Sequence, residues 1–353
     1  MNQLGMAMHC MAAVTCAMSP LAVADTIDVP NDYSTIQAAI DAAVPGDTVL
    51  VGPGTYYEAI DYLNKNLIVM SSDGPEATMI DGSQTSMSLA TLKHCGAPAR
   101  LQGFTFQNAD GGTAVSQDET IIVGGAVRIV AGAPVIENCI FSNCHSGYGG
   151  GIHSGGSDVS VLNCQFTNCS ASANAGGLLV INGKGTIEGC HFEGNHSTLM
   201  GGALHVVNGE GHVIRDSSIV NNTSLDGAGI SWHNLATEYS LEISGCTITG
   251  NVASDVGGGI CSVLESQPVI FTDTTLCDNE PGEIVGPWLD EGGNTLCICA
   301  EDLDQDEEVA VDDVLILVSQ WGNSPALGDL DGDGSVGVSD LLAVLAAFGP
   351  CGS

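Results

Sequence analysis

The middle of the chain carries its apolar residues in short alternating runs broken by glycine and asparagine, and the runs recur. Cys139-Ile-Phe141, Cys164-Gln-Phe166, Cys190-His-Phe192, Ser217-Ser-Ile219 and Cys246-Thr-Ile248 superimpose, with spacings of 25, 26, 27 and 29 residues. Five residues after each leading position stands Cys144, Cys169, Asn195, Asn222 or Asn251, and a glycine cluster with an apolar residue follows: Gly149-Gly150-Gly151-Ile152, Gly176-Gly177-Leu178, Gly201-Gly202-Ala203-Leu204, Gly227-Ala228-Gly229-Ile230 and Gly257-Gly258-Gly259-Ile260. "FTFQNA" before Gly124 and "TTLCDN" after residue 273 are weaker copies. A period in the twenties means a solenoid whose turns stack. Alternating apolar positions with Gly, Asn and Thr, and without stripes at helical spacing, exclude a helical solenoid. The expected fold is all-β, a right-handed parallel β-helix in which equivalent positions of neighbouring coils lie ~4.8 Å apart. Cys139, Cys164, Cys190 and Cys246 then stack as small buried side chains that pack and carry no redox chemistry.

Ahead of the repeats, "DVPNDYSTIQAAIDAAVPGDTVLVGPGTYYEAI" pairs Ser34 with Gln37 as a capping box before a short amphipathic helix through Ile36 and Ile40. Pro45-Gly46 ends it and a strand starts at Thr48. A solenoid exposes the core of its first coil, and this helix is expected to cover it. "TIQAAIDAAVPGDTVLVGPGTYYE" resembles the opening of pectin-lyase-like right-handed β-helix proteins. "FSNC", "FTNC" and "FEGN", leading to "GGGI", "AGGL" and "GGAL", are similar to the FxxN and GGAI/GGAL repeats of polymorphic outer-membrane proteins. The resemblance spans residues 27–295 and implies the fold rather than an activity, because that superfamily holds pectate lyases, polygalacturonases, pectin esterases, adhesins and proteins of no known activity.

Charge narrows the partners. Forty-two acidic residues face six Lys and Arg, a formal charge of -36, so nucleic acid and anionic membrane surfaces are repelled. The same shortage of cations weakens any grip on an acidic polymer, although bound calcium supplies positive charge, and neutral glycans stay open. Residues 1–24 hold no charged side chain, run apolar from Leu4 to Ala22 and end in Ala22-Val23-Ala24, the pattern of a secretory signal peptide. The missing Lys or Arg near Met1 leaves an uncleaved anchor or a later start as alternatives. No later apolar run reaches the ~20 residues that span a bilayer. The expected division is a leader over 1–24, the β-helix over 25–296 and a separate module over 297–353.

That last module reads differently. No Lys or Arg follows Cys297. Asp302, Asp304, Asp306, Glu308 and Asp313 occupy positions 1, 3, 5, 7 and 12 of a loop, and Asp329, Asp331, Asp333, Ser335 and Asp340 repeat it 27 residues later. Carboxylates at 1, 3, 5 and 12 with a backbone carbonyl at 7 suit calcium, so two Ca2+ sites are expected. Glu307 stands where glycine would make the sharp turn, and its Cβ adds strain to the first loop. Val309 and Val336, at position 8, suit a short two-stranded pairing between the loops. Leu315, Val318 and Trp321, like Leu342, Leu345 and Phe348, line one face of the helix leaving each loop. Over residues 300–349 this loop-and-helix duplication without entering helices resembles a type I dockerin in a small α-helical, EF-hand-like module. The resemblance implies a cohesin-like or cell-surface protein as partner. Cys299 and Cys351 flank the unit and suggest a staple joining its ends, with Cys297 the alternative partner.

For catalysis, the residue after each inward apolar position should point outward. Read coil by coil, that row is Arg128, His153, Leu179, His205, Ser231 and Cys261, with Trp232 and His233 beside it. Arg128, His153 and His205 could serve a lyase as base and electrophile. No outward aspartates flank them as metal-assisted elimination or two-carboxylate hydrolysis would need, Leu179 interrupts the row, and Asp226 and Asp255 read as solvated turn carboxylates. Two readings follow: a secreted or cell-surface β-helix that binds polysaccharide or a neighbouring surface and is held by a calcium-dependent tail, or a polysaccharide-active enzyme, a lyase foremost.

Overall fold

The computed structural model describes residues 24–116, 119–234, 239–262, 267–297, 301–304, 308–323, 328–331 and 334–350. The leader up to residue 23, Asp306, Asp333, Cys299 and Cys351 lie outside the described residues.

Each regular coil runs through four short strands. Val135–Glu137, Ile140–Ser142, His145–Tyr148 and Ile152–Ser157 make one coil, and Val159–Leu162 starts the next. Equivalent strands pair in parallel and in register, as Ile140, Phe141 and Ser142 do with Gln165, Phe166 and Thr167. The result is four sheets of eleven, ten, seven and nine strands in the order the chain visits them. Among the described strands of this solenoid, only the hairpin of Gly112–Ser116 with Glu119–Val123, at the start of the third sheet, is antiparallel.

Register turns the repeat into columns. Phe106, Phe141, Phe166 and Phe192 stack with ring centroids 5.4, 4.6 and 4.5 Å apart, and Ile219, Ile248 and Leu276 continue the column. Two polar ladders flank it at the bends on either side of the second sheet. In the first, the thiols of Cys139, Cys164, Cys190 and Cys246 reach 3.4–3.8 Å to carbonyls of the preceding coil. In the second, Cys144 and Cys169 make the same contact with Phe106 and Phe141, and Asn195, Asn222, Asn251 and Asn279 then take over with Nδ2 on Phe166, Phe192, Ile219 and Ile248. Burial pushes the Cys164 and Cys169 thiols well above the usual range and keeps them protonated donors. The cysteines therefore fill hydrogen-bonding places in a ladder, beyond the plain apolar packing expected of them.

Each ladder asparagine also accepts the backbone N–H of its predecessor: Asn222 from Asn195, Asn251 from Asn222 and Asn279 from Asn251, at 2.9–3.0 Å. Glu283 ends the series. Its carboxylate accepts from the backbone and the side chain of Asn279, and burial raises its pKa.

At the other end the covering helix is α1, Ile36–Ala42. Ile36, Ala39 and Ile40 sink into the solenoid core. The expected Ser34–Gln37 box is replaced: Thr35 is the cap and accepts from the Ala38 N–H, while Glu58 from the following coil accepts from Ile36 and Gln37. Gln37 instead bonds Asp41 and the Asp61 backbone. Lys65 donates to the carbonyls of Ile40, Asp41 and Ala43 at 2.8–3.0 Å. Both ends of a two-turn helix are thus satisfied from outside it.

The C-terminal tail has its own small core of Leu303, Val309, Leu317, Val336 and Val344, under α2 (Val311–Ser319) and α3 (Val338–Ala346). Val309 and Val336 are both buried but do not pair with each other. Glu308–Val309 pairs with Gly349–Pro350 beyond α3, and Val336 exchanges backbone bonds with Gly322 and Asn323 beyond α2. Each loop is thereby tied to the exit of the other loop's helix, which keeps both valines in the shared core. Cys297 bonds Cys277 across the last two coils, with Cα atoms 4.8 Å apart, and so is not a partner for Cys351. The in-register pairing of Thr275 and Leu276 with Thr295 and Leu296 brings those two cysteines together.

The Asn ladder makes a quantitative demand. Asn222→Ala strands the Asn195 N–H and the Phe192 carbonyl in the interior, and should lower the unfolding free energy by about 3 kcal/mol. Urea unfolding checks it, and a loss below roughly 1 kcal/mol would show that the ladder is not holding the coils.

Candidate functional site

The outward row forms as the sequence places it. Arg128 pairs with His153, His153 with Leu179, Leu179 with His205, His205 with Ser231 and Ser231 with Cys261. Arg128 and His153 are direct neighbours, whereas Leu179 separates His205 from them. Trp232 departs from the expectation. It points inward, fully buried, with its ring edge against His212 and its Nε1 donating to Gln267.

The row is outward yet largely covered. His205 is 3% exposed, Ser231 2% and Leu179 0%, although these side chains turn away from the solenoid core. The cover comes from the third sheet, whose last row is Tyr148, Asn174, Met200, Asp226 and Val256. Each of these precedes a residue with left-handed backbone, and the chain folds straight back toward the outward row. At Gly149 and Gly201 a Cβ would overlap the carbonyls of Ile152 and Leu204, so glycine makes the bend in those coils, while Ala175 takes the same left-handed backbone in the coil between them. The two rows enclose an inside corner that runs along the solenoid.

Polar atoms in that corner lack partners. Arg128 Nε, His153 Nδ1 and His205 Nδ1 on one wall, with Asn174 Oδ1 and Asp226 Oδ1 on the other, are buried and make no hydrogen bond. Leaving such groups unpaired costs about 1–3 kcal/mol each. Burial, then the Arg128 charge, pulls the His153 pKa down to about 4. Burial, then His233, pulls His205 to about 4 as well. Asp226 is raised by burial and by Asp255, which corrects its reading as a solvated turn carboxylate. Cys261 is pushed up to about 11 by burial and by Asp226 and Asp255. Asn174 and Asp226 were legible only as the residues before the glycine clusters, a row whose facing the sequence pattern does not reveal.

The tail holds the other site. Oxygens of Asp302, Asp304 and Asp313 lie within 4.8 Å of one another, and so do those of Asp329, Asp331 and Asp340. These two triads can hold metal ions, and no other group of three or more His, Cys, Asp or Glu side chains does so among the described residues. Asp313 Oδ1 accepts from the Leu303 and Asp304 N–H groups and Oδ2 from Ala310. Asp340 repeats this with Leu330, Asp331 and Gly337, and those bonds, that from Gly337 foremost, lower its pKa. Position 12 thus folds each loop around its own carboxylate. Asp329 accepts from Gly334 through Oδ2 while its Oδ1 is buried with no partner, which fits an oxygen reserved for a cation. Of the position-7 residues, Glu308 lies in the short strand opposite Pro350 and Ser335 is exposed just before Val336.

On the helices and just beyond their ends, Val311, Leu315, Val318 and Trp321 match Val338, Leu342, Leu345 and Phe348 at an offset of 27 residues, and all eight are between 45% and 65% exposed. Among the described residues no helix is long and apolar enough to cross a membrane.

The family model for the right-handed β-helix region matches residues 90–284, more than half of the chain, and the protein belongs to that family. A search of curated proteins finds no match. Among solved structures the chain is similar to pectate lyase Pel9A, with 13% identity, 84% of this chain and 86% of that chain covered, and a TM-score of 0.45. It is also similar to a pectin methylesterase from carrot, with 14% identity, 78% and 86% covered, and a TM-score of 0.32. The A-module of the Azotobacter vinelandii mannuronan C-5 epimerase AlgE6 follows with 16% identity, 74% and 94% covered, and a TM-score of 0.28. Likenesses this distant carry no chemistry across.

The histidine assignment has a direct readout. With folded pKa values near 4 against an unfolded value near 6.5, both rings stay neutral above pH 5.5, and the stability they lend is lost as pH falls from 6.5 through 4. Ring C–H shifts of His153 and His205 should be flat from pH 5.5 to 8 by NMR; a midpoint near 6.5 for either would mean an open, solvated corner.

Proposed function

We propose that this protein is a secreted or cell-surface β-helix that binds polysaccharide along the inside corner and is held in place by a calcium-dependent, dockerin-like tail. The observation that carries the binding reading is the set of five buried, partnerless polar atoms on two facing walls. Sugar hydroxyls donate and accept, so a glycan that pries into the corner can supply what the walls lack. The lyase alternative built on Arg128, His153 and His205 is weaker. Histidines with pKa values near 4 are poor general bases at neutral pH, and Leu179 stands between the two of them.

Export is supported by the apolar leader ending in Ala22-Val23-Ala24 and by the Cys277–Cys297 disulfide, a bond that persists in oxidising compartments. For the tail, an all-oxygen donor set suits Ca2+, with Asp302, Asp304 and Asp313 holding one ion and Asp329, Asp331 and Asp340 the other, completed by Asp306, Asp333 and the carbonyls of Glu308 and Ser335. The paired apolar helix faces would meet a cohesin-like or cell-surface partner. With no Lys or Arg after Cys297, that partner should carry basic residues around an apolar seat.

Two measurements test this. Calorimetric titration of the full chain should register two Ca2+ ions, and chelator should remove a small thermal transition while the β-sheet circular dichroism persists. A tail transition indifferent to Ca2+ would refute the metal reading. On a glycan array, binding should be lost when Asn174→Leu fills one wall, and retention of full binding by that variant would move the site elsewhere.

A further inference from the structure

The six cations of the chain are placed very differently. Arg100 and Arg215 each pair with a glutamate, Glu137 and Glu188, Lys65 sits on three helix carbonyls, and Lys93 and Lys184 are exposed. Arg128 is half-buried in the corner with its Nε sealed from solvent and without an acceptor, in a chain with 42 carboxylates. A guanidinium placed so lacks a counter-ion that the chain had ample means to supply.

Among the described residues, its neighbours in the row and on that face are cationic or neutral. Thr91 and His153 flank it in the row. Lys93 pairs with Val130 on the same face and stands diagonally next to Arg128. The nearest carboxylate in the row, Asp61, is two coils away and accepts from the Leu63 N–H. Further along, the corner changes sign. Asp226 shares a coil with Ser231, four rows from Arg128, and Asp255 shares one with Cys261, five rows away. At ~4.8 Å per coil that is roughly 19–24 Å.

We infer that Arg128, with Lys93 and His153, forms a carboxylate-binding subsite, and that the ligand of the corner is an otherwise neutral oligosaccharide bearing a single uronic acid. The guanidinium fork matches a planar carboxylate through two parallel N–H bonds. One such end fits one acidic sugar. A polyuronate lying along the same corner would bring further carboxylates against Asp226 and Asp255, where like charges repel. The inference rests on the glycan reading for its oligosaccharide part and on Arg128 alone for its carboxylate part.

The test compares three oligosaccharides of equal length by calorimetry on the full chain: a neutral one, the same chain bearing one uronic acid, and oligogalacturonate. The singly acidic chain should bind roughly ten-fold tighter than the neutral one, and oligogalacturonate more weakly than the singly acidic chain. Arg128→Gln should erase the advantage of the acid and Arg128→Lys should keep part of it, with both variants checked for an unchanged melting temperature. In parallel, glucuronate but not glucose should move the His153 ring signals in the wild type and not in Arg128→Gln. Equal affinity for neutral and acidic chains, or indifference to Arg128→Gln, overturns the subsite and leaves glycan binding standing. Tightest binding of oligogalacturonate overturns the single-acid assignment. If no oligosaccharide binds while glucuronate still shifts His153, the subsite survives and the glycan reading fails; silence from both overturns both.

Discussion

The structure depends on in-register stacking at the spacing of parallel strands. A coil a little over 25 residues long cannot bury its own inner face, so each coil is completed only by the next, and whatever stands at one position must be compatible with its own copy ~4.8 Å away. Phenylalanine meets this demand by offset stacking and asparagine by being donor and acceptor at once. Cysteine meets it as a small side chain whose thiol still reaches a carbonyl of the preceding coil. Where the rule is loosened, in the outward row of the inside corner, the side chains become unlike their neighbours: arginine, histidine, leucine, histidine, serine and cysteine follow one another. Variation along a column is therefore a marker of something other than packing.

The repeat made much of this legible in advance. Spacing alone placed Arg128 beside His153 and put Leu179 before His205, because parallel register is fixed by the period. It also placed α1 over the first coil through Ile36 and Ile40. What it did not carry was the direction in which the third sheet folds. Burial of an outward row depends on the left-handed residues at Gly149, Ala175, Gly201 and Gly227 turning the chain back, and the letters show glycines without showing the angle. The helix cap failed for a related reason. Glu58 arrives from the next coil and does the work assigned to Ser34 and Gln37 within the segment. The tail gave its ligand spacing but not its pairing, because the reciprocal tie of Val309 and Val336 to the opposite helix exits is a tertiary arrangement.

Electrostatics separates the two candidate surfaces. A chain with a formal charge of -36 repels anions at long range, which leaves the acidic tail suited to gathering cations. An anion can be held only where geometry overrides that field at short range. The corner offers this at one end, and its opposite end restores the general sign. Polarity along the solenoid axis would give the linear ligand proposed for the corner a preferred orientation as well as a place.

The Cys277–Cys297 bond joins the last two coils immediately before the chain leaves the solenoid. A solenoid is held mainly by strand-to-strand bonds, and a load drawn through its end would peel the outermost coil first and the others in turn. If the tail is the anchor, tension enters the solenoid at Cys297. There it meets a covalent crosslink in place of a row of hydrogen bonds, and the force is passed to the coil beneath. This staple sits at the point where unzipping would begin.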